Sequence, residues 1–227
     1  MRTAAILPVK TFSAAKQRLG SLLGSGSRQA LAQAMFQDVL GALEKVEAIE
    51  RIVIVASEPR VEFAADQRIV VLEDSLRAGQ SPAAEAGIRW AVAARFARVL
   101  LVPGDVPLLS ATELDALLGG NDVDIVIVPD RHGTGTNGLL LRPPTAIAPS
   151  FGPDSLQRHV DAAEAAGLSY RVERVPSLVL DVDTSDDLAV IADAIEGSRA
   201  IAPRTRGTLR QLERAGARLK VPAGAEN

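Results

Sequence analysis

The sequence predicts an α/β three-layer sandwich with a mixed, mostly parallel central sheet, and three observations lead there. Strand and helix patterns alternate almost from end to end. The strand candidates are continuous apolar runs rather than alternating ones, so both of their faces are covered, as in a parallel sheet. One pair of strands stands back to back around the loop Gly133–Gly138, which predicts a local antiparallel portion.

The elements follow in order. Strands are expected at 3–9 (TAAILPV), 51–56 (RIVIVA), 68–72 (RIVVL), 98–103 (RVLLVP), 124–128 (DIVIV), 138–142 (GLLLR) and 170–175 (YRVERV). Helices are expected at 28–46, 82–95, 111–118, 154–166 and 185–195. This describes one domain over residues 1–197. The basic C-terminal tail, 198–227, has seven basic side chains and one acidic, Glu213, between Arg199 and Lys220. Leu209, Leu212 and Leu219 mark one short amphipathic helix in it. The tail reads either as a mobile or surface-docked segment or as an oligomer or partner contact.

Composition narrows the function. A net charge of −3 gives no electrostatic case for nucleic acid or an anionic membrane as partner. Without cysteine there is no thiolate nucleophile, disulfide or cysteine-ligated zinc. The apolar run Ala4–Val9 is too short for a membrane span or a signal-peptide core, so a cytoplasmic protein is expected.

The stretch Gly133–Gly138, GTGTNG, spells the dinucleotide fingerprint G-x-G-x-x-G. It follows a strand but leads into GLLLRPP, which suits another strand and cannot open a helix, so no helix N-terminus is placed for a pyrophosphate. The NAD reading is rejected. The loop instead offers Gly133, Gly135 and Gly138 for close approach of an anion, with Thr134, Thr136 and Asn137 as donors.

In an open α/β sheet, ligands bind beyond the carboxyl ends of the strands. After the first strand, Lys10, Lys16 and Arg18 form either a solvated basic loop or a cation set for a triphosphate and a departing pyrophosphate. After the third, Gly79, Gln80, Ser81 and Pro82 form a turn into a helix, with Pro82 suited to the first helical position; it is either a plain capped start or a site for a purine edge. After the fourth, Asp105 either caps a turn or binds a metal. Asp181 and Asp183 alternate in an extended segment and repel each other unless a cation lies between them, whereas Asp186 and Asp187 suit the first turn of a helix. Together Asp105, Asp181 and Asp183 make the hard-oxygen set that Mg2+ prefers. Gly152 and Ser155 stand at a helix start that can receive a phosphate. His132 and His159 read as local hydrogen-bonding residues.

The series PVK…K-x-R-L, GQSPAAEAG, PGDVPLL, DRHGTGTNGLLLRPP, FGPDSLQRH and DVDTSDDL resembles the 2-phospho-L-lactate or phosphoenolpyruvate guanylyltransferases of coenzyme F-420 biosynthesis, small nucleotide-diphospho-sugar transferase folds. The resemblance covers about residues 3–195. It implies transfer of GMP from GTP to phosphoenolpyruvate or 2-phospholactate, with release of pyrophosphate. It further implies Mg2+ on Asp105, Asp181 and Asp183, and the acceptor on Thr136, Gly152 and Ser155. Lys10, Lys16 and Arg18 would face the triphosphate, and the turn with Gly79, Gln80 and Ser81 the guanine. A sugar-1-phosphate or molybdopterin nucleotidyltransferase would share the aspartates but carry a glycine-rich turn where this chain has Leu7, Pro8, Val9 and Lys10. A non-catalytic nucleotide-binding regulator is the third reading, which the intact aspartate trio disfavours.

Overall fold

The computed structural model describes residues 1–9, 16–57, 67–74, 79–120, 122–197 and 200–217. The chain runs β1 (Thr3–Val9), a 3-10 turn (Gln17–Leu19), α1 (Ser25–Leu43), β2 (Arg51–Ala56), β3 (Ile69–Glu73), α2 (Gln80–Ala93), β4 (Arg98–Leu101), α3 (Ala111–Gly119), β5 (Ile125–Pro129), β6 (Thr136–Leu141), α4 (Ser155–Ala165), β7 (Tyr170–Val172), α5 (Ser185–Glu196) and α6 (Pro203–Arg214). A seven-stranded sheet has the order β3-β2-β1-β4-β6-β5-β7. Strand β6 is antiparallel to β4 and β5, and the other pairings are parallel.

Successive strand residues face opposite sides of a sheet, and here both sides are apolar. Ala5, Leu7, Ile52, Ile54, Leu100 and Val126 pack on one side with Phe36, Val39 and Leu43 of α1 and Leu114 and Leu117 of α3. Ala4, Ile6, Val53, Val55, Val99 and Leu101 pack on the other with Ala83, Ala84 and Ile88 of α2 and Ala163 of α4. The three-layer sandwich follows.

Several boundaries differ from expectation. Helix α2 opens at Gln80, so Pro82 is its third residue, still within the first turn where a missing N–H costs nothing. Strand β6 starts at Thr136, two residues early, because Pro129 and Thr136 pair across a bulge in the β5–β6 ladder. Strand β7 stops at Val172 and β4 at Leu101.

Helix α2 lies close on β1 because Gly87 has no side chain. A Cβ there would meet Cγ2 of the fully buried Ile6 at 2.5 Å. Gly87→Ala gains about 1 kcal/mol of helix propensity but forces a β-branched neighbour to move, a strain of about 1–3 kcal/mol. A net fall of a few degrees in melting temperature is expected, and a rise would show that the layer tolerates the extra methyl.

The basic segment docks. Pro203 opens α6 at its first position rather than interrupting it. Asp38 of α1, itself buried, accepts from the backbone N–H groups of Arg204 (3.1 Å) and Thr205 (2.7 Å), satisfying the helix start from a distant element. Leu209 and Ala202 join Leu31, Met35 of α1 and Leu188, Ile191 of α5 in a third apolar cluster. Leu219 of the expected helix lies outside the described residues.

Candidate active site

After β1, β2 and β3 the chain crosses back to add β4 beside β1, so the carboxyl ends of β1 and β4 open at the point where strand order reverses. A cavity of about 690 Å³ lies there, a size suited to small-molecule ligands. Its lining includes Lys16, Arg18, Gln80, Asp105, Thr136 and Asp181.

Asp105, Asp181 and Asp183 converge, each offering an oxygen within 4.8 Å of the others. The fold sets this up from both directions. Asp105 leaves β4 in the Gly104–Asp105 turn, and its carbonyl accepts from the N–H of Val182, tying the 181–183 segment to that turn at 3.2 Å. Asp187 accepts from the N–H groups of Asp183 (3.0 Å) and Thr184 (2.7 Å), while Thr184 caps α5 in return. Arg131 pairs with Asp187 at 2.7 Å. Asp187 is thus absorbed structurally, as its place in the first helical turn suggests.

Asn137 was expected to serve an anion and does something else. Its Nδ2 donates to Asp181 Oδ1 (3.0 Å) and to the carbonyl of Leu178 (2.9 Å), so it orients a carboxylate. Burial raises the Asp181 carboxyl to about 6, reinforced by the charges of Asp105 and Asp183 and opposed by the Asn137 hydrogen bond. Carboxylates so arranged favour a cation, and hard oxygens in this number fit Mg2+.

Lys16 lies closer to them than the sequence suggests. Its ammonium pairs with Asp105 and reaches Asp183 Oδ1 at 3.1 Å, with a side chain only 6% exposed. Burial pushes its pKa down, but the two carboxylates outweigh that and hold it above the ordinary value. One ammonium against three carboxylates leaves the cluster negative, so room for further positive charge remains. Arg18 lines the cavity from an exposed position. Lys10 lies outside the described residues.

The glycine loop is a turn between two strands, as the rejection of the NAD reading requires. Its anion-cradle reading needs correction. The Gly133 N–H donates to the Asp130 carbonyl and the Thr134 N–H to Asp130 Oδ1, so both are consumed locally. Gly138 sits inside β6, where a Cβ would meet Val128 at 3.1 Å; its smallness serves packing. Thr136, Gly152 and Ser155 all line the cavity. Gly152, at φ 116°, lets the chain turn into α4, which begins at Ser155. Of the 79–82 turn, Gln80 lines the cavity, whereas the Ser81 hydroxyl accepts from the N–H of Phe151 at 2.9 Å and so braces the 150–153 loop; Gly79 caps α2 at φ 112°.

Sequence reasoning missed Arg158, and read His159 as a local hydrogen-bonding residue without its partners. Arg158 of α4 donates to the hydroxyl and the carbonyl of Ser150, both at 2.8 Å, and to the Pro153 carbonyl. His159, next to it, bonds Thr136 and Ser150. The motif FGPDSLQRH contains both residues, but nothing local reveals their partners.

Solved nucleotidyltransferase structures share the fold of this sheet. A candidate nucleotide-diphospho-sugar transferase of Desulfovibrio desulfuricans has a TM-score of 0.74 at 20% identity, covering 94% of this chain and 96% of the other. CMP:2-keto-3-deoxy-manno-octonic acid synthetase complexed with CTP has a TM-score of 0.57 at 11% identity, covering 87% and 99%.

The chain belongs to the guanylyl transferase CofC-like family, matched over residues 3–213. That span includes α6, beyond the reach of the resemblance read from the motifs. The chain is 46% identical to the phosphoenolpyruvate guanylyltransferase of Conexibacter woesei, covering 94% of this chain and 98% of the relative. It is 36% identical to the 2-phospho-L-lactate guanylyltransferase of Methanothermobacter thermautotrophicus (88% of each). It is also 34% identical to the 3-phospho-D-glycerate guanylyltransferase of Colwellia psychrerythraea (85% and 92%).

Proposed function

We propose that this chain is a Mg2+-dependent enzyme that transfers GMP from GTP to phosphoenolpyruvate and releases pyrophosphate. The observation that carries the reading is the meeting of Asp105, Asp181, Asp183 and Lys16 in one cavity, in a chain 46% identical to a phosphoenolpyruvate guanylyltransferase. In this reading a phosphate oxygen of the acceptor attacks the α-phosphorus of GTP. The bond from that phosphorus to the bridging oxygen breaks, and pyrophosphate leaves with the electron pair. The product is enolpyruvyl-2-diphospho-5'-guanosine.

Both reactants are polyanions, so the protein's task is to align them and offset their charge; no protein nucleophile is needed. Asp105, Asp181 and Asp183 would hold Mg2+, which when bound neutralises charge on the reacting phosphates. Lys16 adds a second positive charge beside the same carboxylates, and Arg18 reaches the triphosphate from the cavity rim. Lys10 follows β1 directly in the sequence and is assigned the same partner. The Thr136 hydroxyl, the Gly152 backbone and the start of α4 at Ser155 take the acceptor's phosphate and carboxylate. Gln80 faces the guanine edge.

The three relatives act on different acceptors, each a phosphate and a carboxylate on a three-carbon frame. Phosphoenolpyruvate is preferred because the 46%-identical relative, matched over nearly its whole length, is named for it. The test is pyrophosphate release from GTP, ATP or CTP with phosphoenolpyruvate, 2-phospho-L-lactate, 3-phospho-D-glycerate or a sugar 1-phosphate. GTP with phosphoenolpyruvate should be fastest and should stop on chelation of Mg2+. Faster release with CTP and a sugar phosphate, or none with GTP and any of the three acids, would overturn the reading.

A further inference from the structure

Two hydrogen bonds determine where His159 carries its proton. Its Nε2 lies 2.9 Å from the backbone nitrogen of Ser150, a group that can only donate, so Nε2 must be the bare, accepting nitrogen. The neutral ring then carries its proton on Nδ1, which faces Thr136 Oγ1 at 3.0 Å. The ring is fully buried, and burial, followed by the charge of Arg158, lowers its pKa to about 4, which keeps it neutral at pH 7. It is fixed in place as well. Phe151 meets it edge-on at 5.5 Å, and Arg158 clamps the Ser150 backbone that Nε2 reads.

The consequence falls on Thr136. Its hydroxyl oxygen accepts from His159 and makes no other side-chain hydrogen bond among the described residues, while the residue lines the cavity. We infer that His159 is a positioning residue: its Nδ1–H holds the Thr136 oxygen as an acceptor and so turns the hydroxyl proton into the cavity, as a donor to an anionic oxygen of the acceptor substrate. With the other tautomer, Thr136 would donate to Nδ1 and present lone pairs to an incoming anion, which repel it. His159 therefore decides whether this wall attracts or rejects a carboxylate or phosphate. The identity of the ligand rests on the guanylyltransferase reading; the tautomer does not.

The first measurement needs no catalysis. Two-bond nitrogen–proton correlations of the imidazoles at pH 7, assigned with His132→Gln, which leaves one ring, should show Nδ1 protonated and Nε2 bare. An Nε2–H ring, or an imidazolium, overturns the inference. The second is kinetic. A hydrogen bond to a charged group supports about a tenfold rise in KM for phosphoenolpyruvate in Thr136→Val, with kcat and the KM for GTP nearly unchanged. His159→Leu should give the same rise, and the double variant no more than either alone. His159→Gln, whose amide can again accept from Ser150 and donate to Thr136, should restore much of the loss. A Thr136→Val enzyme with unchanged KM, or additive effects in the double variant, overturns the positioning role while guanylyl transfer stands. Absence of acceptor-dependent pyrophosphate release by the unaltered chain would instead overturn the functional reading, leaving the tautomer measurement to be judged by itself.

Discussion

Asp105→Asn and Asp183→Asn each lower turnover by at least ~100-fold while the protein still folds, because each removes charge from the group that would hold the metal in the transition state. Folding survives because the side chains are partly exposed, 29% for Asp105 and 52% for Asp183, and because each variant leaves Lys16 one of its two carboxylate partners. The loss should be in kcat as much as in kcat/KM, since the proposed contacts to the nucleotide base and to the acceptor would be untouched. Pyrophosphate release at saturating substrates measures the first effect and thermal melting the second. Turnover within about tenfold of the unaltered enzyme at millimolar Mg2+ would mean that these carboxylates serve Lys16 and not a metal.

Asp181→Asn has the second large effect, and in the absence of divalent cations it is stabilising. The Asp181 carboxyl titrates at about 6 in the folded protein against an ordinary 3.8, chiefly through burial and then through its two acidic neighbours. The folded state therefore binds a proton more readily than the unfolded one. The stability this contributes is complete below pH about 4 and is lost as pH rises through about 6. At pH 8 the native protein carries the full cost of the third charge, on the order of 1–2 kcal/mol once partial exposure is allowed for. Asparagine removes that cost and keeps an oxygen for Asn137 to donate to. In chelator-containing buffer, Asp181→Asn should melt a few degrees higher than the unaltered chain at pH 8 and equally at pH 4. Added Mg2+ should raise the unaltered chain more than the variant. A variant less stable than its parent at pH 8 without metal would show that burial of this carboxylate is already compensated. The cost of that third charge is one that a bound cation would offset.

Periodicity along the chain was enough for the layers. Apolar runs such as IVIV in β2 and β5 declare strands covered twice, and the Pro-stopped GLLLRPP after Gly138 declares a strand in place of a helix, which disposes of the dinucleotide fingerprint. The acidic trio was legible for a similar reason. Three carboxylates at strand exits must either pair or bind a cation, and burial cost makes that inference local. The start of α4 was legible to within one residue, expected at Asp154 and found at Ser155.

Other features depend on partners far apart in the chain, and no local pattern encodes them. Lys16 meets Asp105 and Asp183 across 89 and 167 positions, so a lysine that looks free for phosphate is already seated among the acids. Asn137 finds Asp181, Ser81 finds Phe151, and Asp38 caps α6 across more than 160 residues. Composition and spacing report what each residue can offer, a charge, a donor, an apolar face. Which group receives it depends on how the layers close, because a hydrogen bond or ion pair forms only within about 3–4 Å, and that distance is set by packing.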